Sequence, residues 1–152
     1  MRIIVPLLIV LMSLSSCQRH DLAERDNFFR FPRDQWEARA RLLSVEKLFE
    51  LNRILTSFSK PGDPIFSKEI GSRGRAGVLE LASVMQKRDD IRSRDYLPVL
   101  TYANISGYDA CSDAVAMRAL SRGLGPSGAS EYIYRPGEAP VNPLRLFCER
   151  RG

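Results

Sequence analysis

The stretch DQWEARARLLSVEKLFELNRILTSFSK, Asp34 to Lys60, decides the fold class. Trp36, Ala40, Leu43, Leu48, Leu51, Ile54, Leu55 and Phe58 recur at helical spacing and make one broad apolar stripe. Asp34 is suited to cap a helix, and Glu37, three residues on, completes a capping-box pattern. Pro61-Gly62-Asp63-Pro64 then ends the helix. Leu42, Val45 and Phe49 form a second stripe on the opposite side. A helix that is apolar on two faces either lies at the centre of a bundle or offers one face to a partner. The central position is the preferred expectation, and Leu42, Val45 and Phe49 are the candidate partner face. The fold class expected is mainly α, a small domain of about four or five helices.

The segments that follow support a bundle. Ser67 to about Arg88 reads as a second helix, with Gly71, Gly74, Val78, Leu81 and Met85 on one face. Small residues at that spacing let another helix approach closely. The glycine-rich run Gly71 to Gly77 could instead cradle an anion on backbone amides, but it lacks both phosphate-loop spacings, so packing is preferred. Lys87 to Asp95 is a charged connector. Tyr96 to Ile105 suits a strand or a helix; a lone strand would have no mate, so a helix opened by Pro98 is expected. Ala110 to Arg122 is a further helix, capped by Asp109 and stopped at Gly123 or Gly125. Gly125 to Pro143 is a long loop, pinned by Tyr132, Ile133 and Tyr134. Asn142-Pro143 reads as the cap and first position of a short terminal helix, Leu144 to Arg150.

Residues 1 to 16 are of another kind. Arg2 and an apolar run from Ile3 to Leu14 are too short to span a bilayer and have the layout of an export signal. The run ends in Leu14-Ser15-Ser16-Cys17, which resembles the lipobox of bacterial lipoproteins. The resemblance covers the signal alone. It implies diacylglyceryl transfer to the Cys17 thiol, cleavage before Cys17 and acylation of the new amine. Gln18 rather than aspartate at the second mature position implies outer-membrane sorting, with the chain on the periplasmic side. Several acyl chains anchor stably where one does not. Residues 17–33 then form the lipidated N-terminus and a tether, and 34–152 a single helical domain. The tether carries Phe28, Phe29 and Phe31 beside Arg30 and Arg33. Those residues could lie among lipid headgroups; packing as an N-terminal arm is preferred.

The chain of 152 residues carries 23 basic and 18 acidic groups, for a net charge of +5. Basic and acidic residues interleave, so no clustered face for nucleic acid is expected. Beyond Cys17 two cysteines remain, Cys111 and Cys148. In an oxidising compartment such a pair is expected to form a disulfide; two buried thiols are the alternative.

The single histidine, His20, lies in the tether, which leaves serine or cysteine nucleophiles without a base. Zinc and calcium spacings are absent, so no metal and no cofactor is expected. Carboxylate chemistry remains. Glu69, Glu80, Asp89, Asp90 and Asp95 are candidates for an acid–base pair, and burial of Glu80 in its apolar stretch would raise its pKa. The preferred function is a non-catalytic module that binds an envelope protein. Such a module is an accessory subunit of an envelope or secretion complex, or an immunity-type protein. The alternative is a carboxylate-dependent hydrolase acting on peptidoglycan or another glycan.

Overall fold

A computed structural model describes residues 27–58, 64–128 and 142–150. All regular structure among these residues is helical. The signal, Cys17 and the Tyr132 to Tyr134 cluster lie outside the described residues. The chain divides into two units, residues 1–38 and 39–152.

In the first unit, residues 27–29 make one helical turn and Arg33–Gln35 a 3-10 turn. The short helix α1, Trp36–Ala40, begins there. Phe28 and Phe29 stand edge to face with centroids 5.5 Å apart, and both meet the Trp36 ring, at 6.0 Å and 5.0 Å. The Trp36 indole N–H donates to the Phe31 carbonyl at 2.8 Å.

Two of the five expected helices break. The first runs only to Ala40, turns through residues 41–44, and restarts as α2, Val45–Phe58. Ser44 is the cap that restarts it: its hydroxyl accepts from the Lys47 N–H at 3.3 Å and its carbonyl from the Leu48 N–H at 3.0 Å. The second expected helix starts two residues early and splits into α3, Ile65–Ser72, and α4, Gly74–Met85. Gly74 has φ of 59°, a left-handed conformation that favours glycine and turns the chain between the two.

The third segment is a helix, α5, Ser93–Ile105. Pro98 lies inside it rather than opening it. The start is fixed instead by a capping box, in which the Asp95 carboxylate accepts from the Arg92 N–H at 2.9 Å. The next helix, α6, Ala114–Gly128, is capped by Asp113 rather than Asp109 and runs past both expected stop glycines. The last, α7, Pro143–Glu149, starts as its sequence foretells. The Asn142 side-chain oxygen accepts from Leu144 N–H at 2.8 Å and Arg145 N–H at 3.4 Å, with Pro143 at the first position.

The packing follows from this punctuation. α2 packs on α3, α4 and α5; α3 lies along α5, α4 along α6, and α7 touches α5. Leu48, Phe49, Leu51, Phe66, Ile70, Leu81, Met85, Tyr96, Leu100 and Leu120 fill the core. α2 buries Val45, Leu48, Phe49 and Leu51 in this packing. Small residues let helices approach closely at two crossings. A Cβ at Gly71 would stand 2.6 Å from the Val99 carbonyl oxygen, and one at Gly123 would stand 2.9 Å from the Met85 Cβ. The packing role expected of Gly71 is therefore the one its surroundings require. Among the described residues buried polar groups are few; in one pair the Ser67 hydroxyl donates to the Asn52 side-chain oxygen at 2.9 Å, across α3 and α2.

The C-terminal helix is also held covalently. Cys111 and Cys148 form a disulfide, with Cα atoms 5.5 Å apart. Beside it, the Cys148 sulfur lies 3.9 Å from the Met117 sulfur of α6.

Candidate functional site

The expected partner face does not survive as a face. Val45 and Phe49 are fully buried, while Leu42 is 86% exposed. The stripe presumed one continuous helix. The break at residues 41–44 interrupts the helical phase, leaving Leu42 on the turn and carrying Val45 and Phe49 into the core under α2.

The turn bearing Leu42 is fastened from beneath. Turn carbonyls at a helix end need donors. Arg73, in the α3–α4 corner, supplies them with one guanidinium nitrogen. It donates to the carbonyls of Leu43 at 2.8 Å, Arg41 at 3.4 Å and Ala40 at 3.5 Å. The Glu69 carboxylate, one helical turn earlier on α3, accepts from Arg73 Nε at 3.2 Å and aims the fork. Leu42 and its neighbour Arg41 are thus presented on a turn held through the carbonyls of Ala40, Arg41 and Leu43, and both are exposed. Sequence reasoning named Leu42 and missed Arg73, whose carbonyl partners lie 30 to 33 positions away. The glycine run around it gives the only sequence signal, that of a turn.

The candidate carboxylates do not converge on one site. Glu69 serves Arg73. Asp90 and Asp95 both face Arg53 of α2, Asp90 by a hydrogen-bonded ion pair and Asp95 at 3.8 Å. Asp95 is almost fully buried and spends an oxygen on its capping bond. The Arg53 hydrogen bond holds the Asp90 carboxyl below its ordinary range. That is the opposite of the raised pKa a general acid uses. Glu80 is exposed on α4, not buried in an apolar environment, and Asp89 is exposed too. Among the described residues no group of three or more His, Cys, Asp or Glu side chains is placed to hold a metal ion. No helix there is long and apolar enough to cross a membrane.

The strongest local electrostatics belong to Asp113. Its Oδ1 accepts from the backbone N–H groups of Val115 at 2.8 Å and Ala116 at 3.1 Å. Its Oδ2 accepts from Arg75 Nε at 2.7 Å and from the Tyr108 hydroxyl at 2.9 Å. The Ala116 backbone N–H contributes most, then Arg75, and together they hold the Asp113 carboxyl far below the usual carboxylate range. Burial, then the bond to Asp113, pushes the Tyr108 hydroxyl up to about 12. These contacts fasten the loop after α5 to the starts of α4 and α6.

A pH dependence follows. A carboxyl with a folded pKa below its unfolded value of about 3.9 stabilises the fold fully above that pH. The contribution fades as pH falls through the folded value. Acid unfolding between about pH 4 and pH 1 should therefore be shallower in Asp113→Asn than in the parent. Thermal melts across that range check this; parallel stability–pH curves would dismiss Asp113 as the source.

No protein-family model, curated protein or solved structure matches the chain.

Proposed function

We propose that the chain is an exported lipoprotein, anchored through acylated Cys17 to the outer membrane on its periplasmic side, whose helical domain binds another envelope protein without catalysis. The lipobox-like Leu14-Ser15-Ser16-Cys17 supports the anchor. The Cys111–Cys148 bridge is the chemistry of an oxidising compartment and agrees with export.

The observation that carries the binding reading is Leu42. A large apolar side chain, 86% exposed, sits on a turn immobilised by Arg73. A rigid, exposed apolar anchor beside a charged rim loses little conformational freedom when a partner covers it. A partner surface with an apolar pocket rimmed by acidic groups would accept Leu42 and Arg41 together. An envelope or secretion complex, or a toxin that an immunity protein blocks, could offer such a surface.

The test is a photo-crosslinking residue at position 42 in cells, with the exposed position 80 of α4 as the control. One discrete protein adduct from position 42, absent from position 80, is the expected result. The same adducts from both positions, or none from position 42, would overturn the binding reading.

A further inference from the structure

The N-terminal unit contains an apolar cluster for which the reading above has no use. Phe28, Phe29 and Trp36 pack ring against ring, and each, like Phe31, is only half-buried. We infer that this cluster is a membrane-surface contact, seated at the headgroup–acyl boundary of the leaflet that holds the Cys17 anchor. The inference rests on the proposed anchor and goes beyond it, since acylation by itself assigns these rings no place in the bilayer.

Three observations point to lipid as the occupant. The first is distance. Phe28 is eleven residues from Cys17, and eleven residues span at most about 40 Å. The anchor therefore holds the rings at high local concentration over one leaflet, where a modest affinity suffices.

The second is polarity. Aromatic rings favour the interfacial zone, but an unmet indole N–H is costly in a region of low dielectric. The Trp36 N–H is already bonded to the Phe31 carbonyl at 2.8 Å. Both the donor and one backbone acceptor can then leave water without losing a partner.

The third is charge. Between residues 27 and 38 the charged residues are Arg30 and Arg33 against Asp34 and Glu37, which cancel. Apolar area, not charge, must supply the attraction, so the contact should persist at high salt.

Trp36 is the chain's one tryptophan, so its fluorescence reports on this cluster alone. The full lipidated chain would be reconstituted in vesicles of phosphatidylethanolamine and phosphatidylglycerol, with and without brominated acyl chains. Trp36 emission should shift to the blue and lose most of its intensity in brominated vesicles, at low and high salt alike. Phe28→Ser with Phe29→Ser should recover that intensity while the protein still floats with the vesicles. Circular dichroism would show that the helical domain is intact.

Floated, acyl-labelled protein whose Trp36 is not quenched would overturn the inference and leave the anchor standing. Quenching that vanishes in salt would also overturn it, because charge would then be the attraction. A chain that takes no acyl label at Cys17 and stays off the vesicles would remove the anchor, and the inference with it.

Discussion

Gly71→Ala should destabilise the helical domain by about 3 kcal/mol, lowering its melting temperature by roughly 10 °C. The sign is the informative part. In an exposed helix the same change stabilises by about 1 kcal/mol, because alanine has less backbone entropy to lose. Here the new Cβ would stand 2.6 Å from the Val99 carbonyl oxygen, 2.7 Å from the Ala103 nitrogen and 2.7 Å from the Tyr102 Cβ. Two of these atoms are backbone and the third is fixed to it, so no side chain can swing away. α3 and α5 must separate, which loosens Ile70, Val99 and Ala103, all fully buried. Urea unfolding would measure the loss, with Ser83→Ala on the exposed face of α4 as a control expected within about 0.5 kcal/mol of the parent. A more stable Gly71→Ala would mean that α3 and α5 do not meet this closely.

Removing the disulfide should cost a similar amount by a different route. The bridge joins residues 37 positions apart. Loop-closure entropy of that size corresponds to about 4 kcal/mol, exerted mostly on the unfolded chain. The folded contacts of α7 through buried Pro143 and Leu144 do not depend on it. Cys111→Ser with Cys148→Ser should therefore keep the native far-ultraviolet spectrum. Its unfolding midpoint should fall and its denaturant slope rise, because the unlinked chain expands further. Chemical reduction of the parent should reproduce the double variant. Equal midpoints for oxidised and reduced chains would show that the bridge constrains nothing.

What the sequence disclosed depends on how far apart the interacting residues lie. Asn142-Pro143 announced α7 because a cap and its helix are neighbours. The cysteine pair was legible because only two remained after Cys17. The helical class followed from apolar periodicity between Asp34 and Lys60 and in the segments after it. The breaks were harder. Ser44 is a good cap in plain view, yet the apolar residues around it let one long helix run through it. What favours the break is Arg73, which satisfies the carbonyls the turn exposes. The choice of Asp113 over Asp109 as the α6 cap has the same character. Arg75 of α4 and Tyr108 converge on Asp113, and no local pattern records that. Glu80 looked buried because its neighbours in sequence are apolar, but α4 turns position 80 outward.

The charged segment between α4 and α5 carries a consequence of its own. It reads base, base, acid at Lys87, Arg88 and Asp90, against acid, acid, base at Glu46, Glu50 and Arg53 of α2. Each pair is partly exposed, and such pairs contribute little stability individually. Their order does more than their strength. If the segment slid so that Asp90 met Glu50, two carboxylates would oppose each other. If it slid the other way, Arg88 would meet Arg53. Only one alignment matches every sign. The three pairs thus agree in sign in the alignment the fold adopts just ahead of α5, and a slide either way sets like charges face to face.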